Sequence, residues 1–173
     1  LLLARSDGGD LSNTDVRLDA ICSGAAEEMR PLLSNRTLSL DCAPAHVTGN
    51  EASLHQAVRN LIANAIEHTP DGCSIEVRVS DPSAGTVTLT VDDSGLGIPA
   101  GQTDRIFDRF ATGAGDKGRG TGLGLAIAKA VVEAHSGSIS AGVSPLGGAR
   151  FVVVLPAGQA STTTGTTIGR RRN

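Results

Sequence analysis

The chain has 173 residues, 39% of them hydrophobic, with a formal net charge of −3. That size and composition suit one soluble globular domain with room for a tail. The weak negative charge supplies no field for nucleic acid or anionic membrane. A 2% aromatic content without Trp or Tyr also removes the platforms on which single-stranded bases stack.

No apolar run reaches the roughly 18–20 residues of a membrane span. Cys22, Cys42 and Cys73 form no C-x-x-C pair, and His46, His55, His68 and His135 have no metal-binding spacing. The cysteines read as small, reduced core residues of an intracellular protein.

Along the chain, Leu1-Leu2-Leu3-Ala4-Arg5 resembles the last turn of a helix cut from something longer, and 7–10 a turn. Leu18, Ile21, Cys22, Ala25, Met29, Leu32 and Leu33 make a helical stripe interrupted near Pro31. Residues 37–42 predict a short strand and 45–48 a second. Asn50 is placed to cap a long helix over 51–67, closed by Thr69-Pro70-Asp71-Gly72. Alternating Ile75, Val77, Val79 and Val87, Leu89, Val91 predict strands at 74–79 and 86–91, joined as a hairpin through Asp81–Gly85.

Then come a glycine-proline turn at 92–100, a short helix at 103–110, a loop at 111–120 and a helix at 121–135. Strands at 138–143 and 149–155 follow, joined through Pro145-Leu146-Gly147-Gly148. The expected divisions are 1–10 as helix end and linker, 11–156 as the domain, and 157–173 as a disordered Gly/Ser/Thr-rich tail. Three main helices and non-alternating strands imply an α+β two-layer sandwich, its mostly antiparallel sheet carrying the helices on one face.

Three stretches carry chemistry. In the run Gly118-Arg119-Gly120-Thr121-Gly122-Leu123-Gly124-Leu125, glycines at every second position do not suit a helix interior. A glycine segment opening a helix gathers free N–H groups and the positive end of the dipole, which suits phosphate; a plain mobile loop is the alternative. On the 51–67 helix, Asn60 and Asn64 lie one turn apart beside the apolar arc of Leu54, Val58, Leu61, Ile62 and Ala65. Asn disfavours helix interiors, so this pair points to a ligand role, its amide oxygens being hard donors suited to Mg2+. An incidental solvated face is the alternative.

The third stretch is Asp92-Asp93-Ser94-Gly95-Leu96-Gly97-Ile98-Pro99, where glycines let backbone approach a flat ligand and a strand-end carboxylate can accept an amine hydrogen bond. Its Gly95-x-Gly97-x-x-Ala100 spacing matches the dinucleotide fingerprint, but no βαβ unit follows. No phosphate P-loop sequence occurs.

Four segments in order, Asn60-Leu-Ile-Ala-Asn64-Ala, Asp93-Ser-Gly95-Leu-Gly97-Ile, Phe107-Asp-Arg-Phe110 and Gly120-Thr-Gly122-Leu-Gly124-Leu, resemble one family. They are similar to the N, G1, F and G2 boxes of the ATP-binding catalytic domain of sensor histidine kinases, a Bergerat fold of the GHKL superfamily. The likeness covers roughly 16–155.

The resemblance implies ATP and Mg2+ as cofactors. It assigns Asp93 to the adenine amine, Gly95, Gly97 and Ile98 to that pocket, His68 to the nucleoside, and Asn64, supported by Asn60, to the metal. It makes 110–120 a lid anchored by Phe107 and Phe110, for both of which core packing is the alternative. Gly120, Thr121, Gly122, Leu123, Gly124 and Leu125 then line the phosphates, and Arg109, Lys117 and Arg119 are candidate phosphate contacts, with Lys117 and Arg119 also candidates for catalysis. Family members often carry a basic residue three positions after the metal asparagine; here it is Glu67.

Related ATPases use a glutamate at the first N-box position to activate water, and Asn60 stands there. The resemblance therefore implies transfer rather than hydrolysis. The acceptor would be a histidine in an upstream dimerisation domain, and a response regulator would act downstream. It further implies a cytoplasmic fragment that is monomeric and does not touch the membrane, cut from a homodimeric parent whose inner-membrane anchorage is left open. An anti-sigma-factor-type serine kinase of the same fold is the alternative, and a degenerate domain that binds a partner without nucleotide is the third reading.

Overall fold

Alternating hydrophobic residues build the sheet, and three amphipathic helices cover it. The computed structural model describes residues 14–109 and 122–158. These form seven strands, β1 (Thr14–Arg17), β2 (Thr37–Cys42), β3 (His46–Gly49), β4 (Ser74–Val79), β5 (Thr86–Asp93), β6 (Ser138–Val143) and β7 (Ala149–Pro156). The helices are α1 (Leu18–Met29), α2 (Glu51–His68) and α3 (Gly124–Ala134). Five strands lie in the order β2-β4-β5-β7-β6, with β2 parallel to β4 and every other neighbouring pair antiparallel. β1 and β3 form a separate antiparallel ribbon. The fold is α+β, with a mixed, mostly antiparallel sheet.

Register explains the layers. Val77, Val91 and Phe151 lie side by side on β4, β5 and β7, and Val79, Leu89 and Val153 form the next row. All six are buried with Leu54, Val58, Leu61 and Ile62 of α2 and with Ile21 and Cys22 of α1. Each such side chain contributes about 1.5–3 kcal/mol on burial. Because side chains alternate along a strand, Asp93 falls on the same face as Val87, Leu89 and Val91. The core row of β5 thus ends in a carboxylate.

Helix ends are fixed by specific bonds. Asn50 Oδ1 accepts the Ser53 N–H at 2.9 Å, capping α2. The Asn50 N–H in turn donates to His135 Nε2 at 3.0 Å, and His135 Nδ1 lies 2.7 Å from the Val131 carbonyl. A carbonyl only accepts, so the proton sits on Nδ1 and His135 ties the end of α3 to the start of α2. At the other end of α2, Arg36 donates through Nε and Nη2 to the Thr69 carbonyl at 2.8 and 2.6 Å and pairs with Asp71 at 2.9 Å.

Four local expectations change. β1 was not expected; its four residues carry one buried side chain, Val16, too little to show a period. The segment expected as a helix over 103–110 is a single 3₁₀ turn, Arg105–Phe107, among its described residues. α3 starts at Gly124, not at 121. β5 runs on through Asp92 and Asp93, which looked like turn residues. Their burial is supported by partners: Arg150 donates to both Asp92 oxygens, at 2.7 and 2.9 Å, and backbone amides bind Asp93. Asp92, accepting those bonds, holds the Arg150 guanidinium pKa above its ordinary value.

Asp19, in the first turn of α1, is buried and accepts from Arg17 and from the Ala45 N–H at 3.3 Å. The hydrogen bond from Arg17 holds its carboxyl below the ordinary value. Such a group stabilises the fold above its unfolded pKa of about 4 and loses that contribution as pH falls through the lower folded value. Urea unfolding of Asp19→Asn should therefore differ from wild type by more at about pH 7 than at about pH 2. A difference that does not change with pH contradicts this role.

Candidate functional site

The site grows from the end of β5. Asp93 is 3% exposed. Its Oδ1 accepts the Gly95 N–H at 2.8 Å and the Ala149 N–H at 3.1 Å, and its carbonyl accepts the Gly148 N–H at 3.1 Å. Among the described residues Oδ2 receives no hydrogen bond. One oxygen is thus tied down by backbone, and the other is left without a hydrogen bond among the described residues.

The walls around Asp93 are built by missing side chains. A Cβ on Gly95 would lie 2.8 Å from Thr69 Cγ2 and 3.0 Å from Asp93 Oδ1. Gly97 has φ +74°, and a Cβ there would sit 3.4 Å from the Gly148 carbonyl. Thr69 is itself held, donating from Oγ1 to the Ala65 carbonyl at 2.7 Å. The turn after β5 therefore packs against the end of α2, and the His68 carbonyl lies 3.4 Å from the Gly95 Cβ position.

Asn64 is five residues before Thr69, about 7.5 Å along a helix axis. It is half-buried and makes no hydrogen bond among the described residues. Asn60, one turn earlier, donates from Nδ2 to the Gly124 carbonyl at 3.2 Å. That bond brings the first residue of α3, and with it the second half of the glycine run, against the asparagine stripe. Gly122 takes a left-handed φ of 63° just before the helix starts. A Cβ on Gly124 would meet Asn60 only at ordinary contact distance, 3.8 Å, so steric need does not explain that glycine.

The remaining expected residues are scattered. Leu125 and Ile98 pack partly buried against the core. Phe107 is buried in the core, edge-on to Phe151 with centroids 6.3 Å apart, and Lys129 Nζ lies 6.0 Å from its ring centre. Leu123 is half-buried, and Glu67, His68 and Arg109 are exposed. Phe110, Lys117, Arg119, Gly120 and Thr121 lie outside the described residues, as does the loop expected at 111–120.

Sequence reasoning missed Gly148, Ala149, Thr69 and Arg36. Gly147-Gly148 was legible only as a hairpin signal, and no local pattern announces that this turn closes on Asp93.

For a divalent cation, the described residues offer no convergence of three His, Cys, Asp or Glu side chains. The amide oxygens of Asn64 and Asn60 are neutral donors there, which fits a cation held chiefly by ligand oxygens and water, as Mg2+ commonly is.

The fold and this arrangement define the class first: a two-layer α/β domain that gathers its polar groups where β5 ends beside α2. Its family follows from the sequence as a whole. Residues 49–159 match the family model described as histidine kinase-, DNA gyrase B-, and HSP90-like ATPase, and the chain belongs to that family.

Among curated relatives, the probable sensor histidine kinase TcrY of Mycobacterium tuberculosis is 41% identical over 162 residues, covering 90% of this chain and 34% of that protein. The chain thus spans about a third of that relative's length. Among solved structures, a mycobacterial sensor histidine kinase, MprB, superposes with a TM-score of 0.77 at 28% identity, covering 86% of this chain and 99% of that one. The ATP-binding domain of PrrB from Mycobacterium tuberculosis superposes with a TM-score of 0.71 at 31% identity, with the same two coverages, 86% and 99%.

Proposed function

We propose that this domain binds ATP with Mg2+ and passes the γ-phosphoryl group to a histidine of a helical dimerisation domain, as the catalytic unit of a sensor histidine kinase. A response regulator would then receive the phosphoryl group. The observation that carries this reading is the split role of Asp93, with Oδ1 locked by two backbone amides and Oδ2 open beside glycines. An open acceptor oxygen at the end of a strand suits the exocyclic amine of adenine.

The chain's own residues divide the remaining work. Asn64, free of hydrogen bonds to the described residues, offers its amide oxygen to the metal. A cation held there would supply positive charge that offsets the charge developing on transfer. Asn60 holds the start of α3 through the Gly124 carbonyl, and the amides at that helix start would suit the phosphates. Its amide has no basic nitrogen to take a proton from water, which favours transfer over hydrolysis. Phe107, packed on Phe151, anchors the segment that leads to the expected lid. Arg109, Lys117 and Arg119 remain the candidate phosphate contacts.

Titration with a non-hydrolysable ATP analogue tests the first half of this reading. Saturable binding that tightens with Mg2+ is expected; no binding with or without Mg2+ overturns it.

A further inference from the structure

We infer that Gly148, in the turn between β6 and β7, is a positioning residue that sets nucleobase selectivity by fixing the Asp93 carboxylate. A Cβ on Gly148 would lie 2.1 Å from Asp93 Oδ1, 2.5 Å from the Gly95 nitrogen and 2.6 Å from the Asp93 carbonyl oxygen. Two of those three neighbours are backbone, so no side-chain rotation makes room. The third is the carboxylate itself. The Gly148 N–H binds the Asp93 carbonyl while the next amide, Ala149, binds Oδ1, so one turn grips both ends of the residue.

The turn is itself braced. Ser144 and Gly148 are joined by an N–H to carbonyl bond of 2.9 Å, the Gly147 N–H returns to the Ser144 carbonyl at 2.9 Å, and Ser144 Oγ accepts the Leu146 N–H at 3.0 Å. A Cβ on Gly97 would also come within 3.4 Å of the Gly148 carbonyl. The conformation of Asp93 is therefore set by a segment more than fifty residues later in the chain, and any side chain at position 148 displaces the acceptor oxygen.

This inference rests on Asp93 reading the base, and the experiment separates the two. The chain is titrated with ATP and with inosine 5′-triphosphate, which carries a carbonyl where ATP carries the amine. Wild type should prefer ATP by about tenfold or more, the range of a hydrogen bond to a charged group. In Gly148→Ala that ratio should fall toward one while affinity for inorganic triphosphate with Mg2+ is unchanged, an outcome that a general loss of fold would not produce. Gly142→Ala, on β6 with open space around its Cβ, should keep the wild-type ratio.

A wild-type chain without preference for ATP overturns the assignment of Asp93. A Gly148→Ala variant with the full wild-type preference overturns the role of Gly148 alone. If Gly148→Ala does not fold, amide resonances of a wild type that prefers ATP decide: ATP should shift the Gly148 amide, as well as Gly95 and Ala149, more than inosine 5′-triphosphate does. Equal shifts of the Gly148 amide with both nucleotides overturn the role of Gly148.

Discussion

Asp93→Asn should weaken ATP binding on the order of 100-fold, while the domain keeps its fold. The geometry dictates which way the new amide faces. Two backbone N–H groups, from Gly95 and Ala149, converge where Oδ1 now sits, so the amide oxygen must take that place. The NH2 then occupies the open Oδ2 position and presents donors to an amine that is also a donor. The loss therefore includes a charge-assisted hydrogen bond and a donor–donor contact in its place. The same NH2 suits a base with a carbonyl at that position, so preference between ATP and inosine 5′-triphosphate should invert. Equilibrium titration with both nucleotides checks this; unchanged ATP affinity contradicts the assignment.

Asn64→Ala should reduce phosphoryl transfer to an added acceptor domain by about 10²–10³-fold, the range for removing one preorganised group that meets developing charge. Stability should not fall with it. Asn64 has no hydrogen bond to lose among the described residues, and Ala is the better helix former. Binding measured without Mg2+ should stay near wild type if the lost oxygen acts through the metal, as proposed. Asn60→Ala should behave differently, because Asn60 bonds the Gly124 carbonyl and its loss loosens the start of α3. Transfer at the wild-type rate by Asn64→Ala removes Asn64 as the metal ligand.

Much of this site was readable where a residue broke a local rule. Asn60 and Asn64 disfavour the helix that carries them, and both lie on one stripe beside its buried arc. Asp93 ends a row of alternating valine and leucine, so a strand-end carboxylate was visible, although the strand itself looked two residues shorter. Asp92 and Asp93 read as turn because charge and burial conflict in a sequence; the conflict is resolved by Arg150 and by the amides of Gly95 and Ala149.

Contacts made at long range were not readable. Gly148 carries no sign that it lies against Asp93, since Gly-Gly fits any hairpin. Arg36 gives no hint that it clamps Thr69 at the end of α2. Phe107 was ambiguous between lid anchor and core packing; its edge-on contact with Phe151 lies in the core, which leaves the anchoring role compatible with that packing. The order of the sheet, with β2 added parallel to β4, likewise depends on pairings that no periodicity encodes.

The most direct test mixes this domain with ATP, Mg2+ and a helical dimerisation domain that bears the acceptor histidine. Phosphate that is labile to acid and stable to base, the signature of phosphohistidine, is expected on the acceptor. Acid-stable phosphate on serine, or release of inorganic phosphate with none on the acceptor, would contradict it.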